Sequence, residues 1–349
     1  MSYLNLDSIK YNEILNIKFG VYHPLKRFVD KKEFISISKN FKSSKNKFFP
    51  LPVYFDISKV ERNRIENLDK IDLIYKRKKI GLLRKYSSYK INKNKYLKLI
   101  FGTKDKIHPG VKKFLQSKEY FLSGDIDLKN KLFINKKNYP HFWVHKFKKE
   151  KIKSIAGFHT RNIPHKSHEW IHDYGLQKCQ ALFVHPMTGH LKKGDFKRNI
   201  VLRSYKVLIK IKKIKNFFFN ELKTYARYAG PREAMLHAII RKNFGCTHFL
   251  VGRDHAGVEN YYNKYESQKK CKKIEKKIGV KIITFNEPFY CKLCKKIVGF
   301  TSSCKHLIKN KEFISATKIR NLIKMKKNIP SYFIRPEISK FLSKRSLRN

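Results

Sequence analysis

Two histidines three residues apart, His165 and His168, follow a short apolar run and a polar turn. The apolar run, Ile155 to Phe158, predicts a strand. Pro164 predicts the start of a helix, because a first helical turn tolerates the missing N–H of proline. Both imidazoles then lie in the first turn, and their spacing places them on one face of the helix.

The same position suits an anion. Arg161 and Asn162 lie in the turn before the helix, and a guanidinium offers the fork of donors that a phosphate or a sulfate accepts. Unpaired N–H groups and the positive end of the helix dipole point the same way. The alternative is an ordinary helix start with two solvated histidines, which the spacing alone does not exclude.

A second polar loop, Gly252 to Gly257, contains Arg253, Asp254 and His255. Glycine lets a backbone approach an oxyanion closely, and the arginine adds a positive charge. The alternative is a glycine-rich turn in which Asp254 pairs locally with Arg253.

Strands that alternate with helices are expected to position both loops. Beyond about residue 150 the predicted strands include Ala181–Val184, Thr247–Val251 and Val280–Phe285, with a helix from near Arg232 to Asn243. This alternation predicts a doubly wound parallel sheet, whose ligands bind at the carboxyl ends of the strands. Both polar loops follow strands, so we expect them to face one crevice. The residues before this part predict a mostly β domain with a few short helices.

The chain has 349 residues and a formal net charge of +55, an excess typical of nucleic-acid-binding proteins. Its lysines, however, are spread from Lys10 to Lys344, which favours compositional drift and at most non-specific binding of nucleic acid. No apolar run approaches the roughly 20 residues of a membrane span, and the N-terminus lacks a signal-peptide core. We therefore expect a soluble, cytoplasmic protein that does not contact membranes.

Four potential metal ligands lie close together near the C-terminus. Cys291 and Cys294 are followed by Cys304 and His306, side chains of the kind that tetrahedral zinc prefers. This pattern predicts one structural Zn²⁺. The alternative is a set of unligated thiols, because Cys304 and His306 are close in sequence for two ligands of one metal.

Three long stretches together resemble the ATP sulfurylases (sulfate adenylyltransferases) of the monofunctional bacterial type. They are HTRNIPHKSH at 159–168, YAGPREAMLH at 228–237 and RKNFGCTHFLVGRDHAGV at 241–258. The resemblance implies an α/β protein with an N-terminal PUA-like β domain, a Rossmann-like nucleotidylyltransferase catalytic domain and a small C-terminal α/β subdomain. The expected boundaries are residues 1–149, 150–288 and 289–349, with the predicted zinc site in the last part.

The resemblance also implies an activity: ATP and sulfate give adenylyl sulfate and pyrophosphate, by in-line attack of sulfate on the α-phosphate. Such a reaction depends on charge neutralisation and alignment, with Mg²⁺ bound to ATP. A homo-oligomer is expected. The alternatives are a basic, zinc-stabilised RNA-binding protein on a decayed enzyme scaffold, and another nucleotidyltransferase with the same histidine pair. Ser315-x-Thr317-x-x-Arg320 resembles the second motif of that wider group.

Site roles follow from the same resemblance. The implied catalytic residues are Thr160, Arg161, Asn162, His165 and His168. The implied ATP contacts are Thr160, Arg161, Asn162, Gly252, Arg253, Asp254, His255 and Ile283, and the implied sulfate contacts are His159, Arg161 and Ala256. His159 replaces the glutamine of the family, and we expect this change to raise the KM for sulfate while the chemistry is retained.

Overall fold

The structure is a computed structural model of the chain, and it describes residues 3–129, 134–190, 193–299 and 304–348. Contacts within the chain group these residues into two compact units. The first unit comprises Met1–Lys146, Arg227–Gly245 and Asp254–Val280. The second unit comprises Phe147–Ala226, Cys246–Arg253 and Lys281–Asn349.

One sheet organises the opening part of the first unit. Up to residue 149 the elements are β1 (Tyr3–Leu6), α1 (Ser8–Lys18), α2 (Lys31–Asn40), β2 (Phe55–Ile57), α3 (Lys59–Ile65), β3 (Lys70–Tyr75), β4 (Lys78–Tyr89), α4 (Leu97–Phe101), α5 (Pro109–Leu115), β5 (Tyr120–Leu128) and α6 (Pro140–Lys149). The strand order is β1-β3-β4-β5-β2. β1 is parallel to β3, and the other neighbouring strands are antiparallel.

This part contains more helix than the sequence predicts, and α1 shows why. The side chain of Asp7 accepts the N–H of Lys10 at 2.7 Å, which caps the first turn. The buried residues of α1 run consecutively from Glu13 to Ile17. Burial of five consecutive positions obscures the spacing of three or four residues that identifies a helix in a sequence.

The later part of the chain alternates strands with helices. Its elements are β6 (Ile155–Thr160), α7 (Lys166–Lys178), β7 (Ala181–Pro186), α8 (Arg198–Lys212), β8 (Phe217–Phe219), α9 (Pro231–Asn243), β9 (His248–Val251), α10 (Glu266–Lys273), α11 (Glu275–Ile278), β10 (Lys281–Thr284), β11 (Phe289–Cys291), β12 (Lys296–Val298), β13 (Lys311–Phe313), α12 (Ala316–Lys324) and α13 (Pro336–Ser339). Helices α9, α10 and α11 belong to the first unit, and the other elements of this set belong to the second unit.

The second unit contains a parallel sheet with the order β10-β9-β6-β7-β8. Numbered by their appearance in the chain, these strands run 5-4-1-2-3, the order of a doubly wound nucleotide-binding sheet. All six residues of β7 are buried, as expected for a strand covered on both faces. The predicted doubly wound parallel sheet is confirmed.

Helix α7 lies close against this sheet because Gly175 has no side chain. A Cβ atom at Gly175 would come within 3.0 Å of Leu250 and 3.2 Å of Leu182.

The second unit also holds a small antiparallel sheet, β12-β11-β13, followed by α12 and α13. Helices in the described ranges are all too short or too polar to cross a membrane.

Candidate active site

The turn after β6 is held by its own backbone and by the neighbouring strand. Thr160, the last residue of β6, is 4 % exposed, and its hydroxyl accepts the N–H of Asn162 at 3.0 Å. Its carbonyl accepts the N–H of Met187 at 2.8 Å. These bonds fix the turn that carries Arg161 and Asn162.

Helix α7 begins at Lys166, two residues later than predicted, and His165 is its N-cap residue. The backbone of His165 is extended, and its Nδ1 accepts the N–H of His168 at 3.3 Å. His165 therefore lies at the cap and not, as predicted, inside the first helical turn: an imidazole caps this helix in place of the usual hydroxyl or carboxylate. Because Nδ1 accepts, a neutral His165 carries its proton on Nε2.

The two histidines share one face, as the sequence predicts, and their rings stack with centroids 3.7 Å apart. Burial, followed by the neighbouring histidines His168 and His172, lowers the pKa of His165 well below its ordinary value. Burial lowers the pKa of His168 to about 4. Near neutral pH both imidazoles are uncharged, so each carries a single N–H.

Positive charge at this turn comes from arginines. Nη1 of Arg320, on α12, donates to Oδ1 of Asn162 at 3.0 Å, and Nη2 donates to Thr317 at 2.9 Å. Burial lowers the pKa of Arg320; Asp195 opposes this effect and the charge of Arg161 adds to it. Arg320 was not among the predicted site residues. The sequence feature that could have identified Arg320 is the Ser-x-Thr-x-x-Arg motif. In the structure its arginine lies beside the first polar turn.

The second polar loop leaves the sheet beside the first. β9 pairs with β6 in parallel, so Gly252 and the turn after β6 lie at the same edge. A Cβ atom at Gly252 would come within 2.9 Å of the ring of Phe285, so this position requires glycine. The guanidinium of Arg253 pairs with Glu287 at 3.2 Å.

This edge is also where the strand order reverses. The chain proceeds from β6 outward to β7 and β8, then returns to β9 and β10 on the other side of β6. Doubly wound sheets bind their ligands at this reversal, beyond the carboxyl ends of the two central strands. Ile283 lies in β10, opposite Leu250 of β9.

The remaining predicted loop residues, Asp254, His255 and Ala256, belong to the first unit. Asp254 and Ala256 have φ values of +55° and +58°, so the backbone turns twice through the left-handed region. His255 Nε2 lies 3.2 Å from Nδ1 of His237.

The four predicted metal ligands lie within 4.8 Å of one another. The Sγ atom of Cys304 is 3.6 Å from that of Cys291 and 3.8 Å from that of Cys294. Nδ1 of His306 lies 3.3 Å from Cys291, 3.3 Å from Cys294 and 3.5 Å from Cys304. Zinc bond lengths in a tetrahedron imply sulfur–sulfur separations of about 3.8 Å and sulfur–nitrogen separations of about 3.6 Å. The cluster has the size and ligand set to hold one metal ion.

Comparisons with known proteins agree with this geometry. The sequence profile of the ATP-sulfurylase family matches residues 137–345, and that of the PUA-like domain matches residues 1–131. The sulfate adenylyltransferase of Hyperthermus butylicus is 36 % identical over 330 residues, which cover 93 % of this chain and 84 % of the relative. That of Pyrococcus abyssi is 36 % identical over 339 residues, 96 % of this chain and 88 % of the relative.

A solved structure described as a hexameric APS kinase from Thiobacillus denitrificans has the same fold, with a TM-score of 0.75 at 15 % identity. The match covers 97 % of this chain, which spans 62 % of that longer chain. The expected PUA-like N-terminal domain and catalytic domain are confirmed by the two profiles. The chain belongs to the ATP sulfurylase family.

Proposed function

We propose that this protein is a sulfate adenylyltransferase, an enzyme that converts ATP and sulfate into adenylyl sulfate and pyrophosphate. Family membership supports the activity. The observation that supports the location of the site is that the two polar loops follow β6 and β9, the neighbouring strands at which the strand order reverses. Doubly wound sheets bind nucleotides at that place.

A sulfate oxygen attacks the α-phosphorus of ATP, and the bond from that phosphorus to the oxygen bridging to the β-phosphate breaks. Pyrophosphate leaves with the bond electrons. Sulfate carries no proton at neutral pH, so the step requires no general base. The barrier comes from bringing two anions together, and donors aimed at the phosphates lower it.

The proposed donors are neutral histidines and charged arginines. His165 and His168 donate N–H groups to the phosphates, and Arg161 binds sulfate and the attacked phosphate region. Gly252, Arg253, Asp254 and His255 contact ATP, as does the backbone of Ile283. His159 and the backbone of Ala256 contact sulfate.

Mg²⁺ is proposed to accompany ATP, where it would neutralise charge on the leaving pyrophosphate.

We also propose a cytoplasmic location and a homo-oligomeric state. The six cysteines, all within the described ranges, form no disulfide, which supports a reducing compartment. Light scattering on the purified protein measures the oligomeric state directly.

Molybdate-dependent cleavage of ATP tests the activity, because molybdate resembles sulfate and its adenylate hydrolyses spontaneously. The expected products are AMP and pyrophosphate. Arg161→Ala and His168→Ala should each lower kcat/KM at least a hundredfold, since each removes a donor to charge that develops in the transition state. His145→Ala is the matched control, because His145 is exposed on α6.

The same assay separates the alternatives. A basic RNA-binding protein on a decayed scaffold would release no AMP. Another nucleotidyltransferase with the same histidine pair would release none in response to molybdate. Either result would overturn the proposed function.

Zinc is the metal that we propose for the Cys/His cluster. Elemental analysis of protein purified without chelator should give one zinc per chain, and Cys294→Ser should lose it, because three ligands remain. Cys271→Ser is the control, since Cys271 lies in α10 of the first unit. A wild-type content well below one zinc per chain would contradict the assignment.

A further inference from the structure

Three polar side chains form a line inside the first unit. Glu233 and His237 lie one turn apart on α9 and are 2 % and 4 % exposed. His237 Nε2 lies 3.6 Å from Oε1 of Glu233, and His237 Nδ1 lies 3.2 Å from Nε2 of His255. The line therefore runs from a carboxylate through one imidazole to a second imidazole in the polar loop.

The carboxylate at one end is fixed and ionised. One oxygen of Glu233 accepts the N–H of Arg227 at 2.7 Å, and the other accepts the N–H of Ala229 at 3.1 Å. Burial raises the pKa of Glu233, but His237 and the Arg227 N–H more than offset this and lower it to about 2. A negative charge therefore faces Nε2 of His237 at neutral pH.

That charge decides where the protons lie. Nε2 of His237 faces the carboxylate, so the proton is favoured on that nitrogen and Nδ1 carries a lone pair. The lone pair can accept the Nε2–H of His255, which leaves a lone pair on Nδ1 of His255. Ser267 donates to the carbonyl of His255 at 2.8 Å and holds the backbone beneath the ring.

Both rings are buried and neutral. The charged groups that act on them are Glu233 and Arg241 on α9 and, for His237, Arg227 in the segment before α9. Burial, opposed by Glu233, lowers the pKa of His237, and burial together with His237 lowers that of His255. The single proton on each ring therefore defines a tautomer.

We propose that Glu233 and His237 are positioning residues that hold His255 in one orientation and in the tautomer with its proton on Nε2. The proposal rests on the proposed function, in which His255 contacts ATP. A ring that is already held in one orientation needs no reordering when that contact forms.

Two substitutions of His237 test the positioning. In His237→Gln the amide oxygen can still accept the Nε2–H of His255, whereas in His237→Leu nothing accepts it. We expect His237→Leu to raise the KM for ATP about tenfold with kcat changed less than about threefold, and His237→Gln to keep both close to wild type. Equal effects of Gln and Leu would overturn the proposal.

Asn243→Ala is the control for damage to α9. Asn243 donates to the carbonyls of Val21 and His23 at 3.0 and 2.9 Å, so its loss weakens the packing of the helix without touching the loop. We expect a lower melting temperature and an unchanged KM for ATP. A raised KM in this variant would show that helix packing alone accounts for the His237→Leu effect, and that result would also overturn the proposal.

A spectroscopic readout is independent of turnover. ¹⁵N NMR of the nucleotide-free full chain should show His255 protonated on Nε2 in the wild type and in His237→Gln, and a mixture of tautomers in His237→Leu. A tautomer mixture in the wild type would contradict the proposal. If molybdate releases no AMP, the proposed function fails, and the NMR result still decides the positioning of His255.

Discussion

Three imidazoles lie in a row along the start of α7. The centroids of His165 and His168 are 3.7 Å apart, and those of His168 and His172 are 6.4 Å apart. Burial lowers the pKa of all three side chains. In the proposed anion site the histidines are therefore neutral, and the positive charge would come from Arg161 and Arg320.

The same three histidines make stability depend on pH. Their folded pKa values lie below the ordinary value near 6.5, so the unfolded chain binds more protons than the folded chain below that pH. Stability is full above about pH 6.5 and falls as the pH drops towards about 4, the pKa of His168. Each histidine contributes at most about 1.4 kcal/mol per pH unit.

His172→Leu should reduce this dependence, because His172 is a buried imidazole with a lowered pKa and contacts Phe158 and Phe217. Urea unfolding at about pH 7.5 and about pH 5 measures it as the change in unfolding free energy. His145→Gln is the control. An unchanged pH dependence in His172→Leu would show that His172 is not buried neutral.

His159 gives a prediction about substrate affinity. It is half-buried one residue before the end of β6, where the family has glutamine. His159→Gln should lower the KM for sulfate about threefold to tenfold, because the longer amide supplies a more adaptable donor. The KM for ATP and kcat should stay unchanged, and initial rates at varied sulfate measure all three. A sulfate KM equal to that of the wild type would count against a role for His159.

At the residue scale, the sequence identified more of the candidate site residues than of the residues that hold them in place. Motif residues such as Arg161 and His165 were recognisable by type and spacing. The contact of Arg320 with Asn162 was not, because it joins positions 158 residues apart. The line from Glu233 to His255 was also missed, since only the folded loop brings His255 to His237.

Among the elements, buried strands were the easiest to predict. Strands such as β7 and β9 are mostly apolar, and their ends were located within two residues. β8, Phe217–Phe219, was missed because three residues are too few to show a periodicity. The start of α7 was placed too early because sequence rules for helix caps favour Ser, Thr, Asp and Asn, and do not include an imidazole.

Close packing of α7 on its sheet gives a prediction at this scale. Gly175→Val should destabilise the protein by about 1–3 kcal/mol, because the added atoms meet Leu250 and Leu182 where even a Cβ would be crowded. It should also lower kcat, since a displaced α7 moves His165 and His168.

Gln177→Val is the matched control, as Gln177 is exposed two residues further along the same helix. Thermal unfolding and initial rates compare the two variants. Equal stability losses would mean that the loss comes from β-branching in the helix and not from contact with the sheet.

Over the whole molecule, the net charge of +55 opposes compaction. Ion pairs such as Lys270–Glu266 lie at the surface, where each stabilises the fold little. Sodium chloride should therefore raise the free energy of unfolding, because salt screens the repulsion among 81 basic residues.

Chemical unfolding with urea, from about 0.01 to about 0.3 M sodium chloride, measures this effect. Chloride is chosen because sulfate is a proposed substrate. Sucrose, which is excluded from protein surfaces but does not screen charge, is the control for general solute effects. A midpoint that falls with salt would show that attractive pairs outweigh the repulsion.

The division of the chain bears on how the protein is made. The first unit is assembled from three separate segments, the last of which ends at Val280. Glu13, in α1, pairs with Arg227 at 2.7 Å, a partner 214 residues further along the chain. On the ribosome, the carboxylate of Glu13 therefore meets its arginine partner only late in translation. A nascent chain stalled at residue 149 would lack the two later segments of the first unit, and it would expose the surfaces that they normally cover to chaperones and proteases.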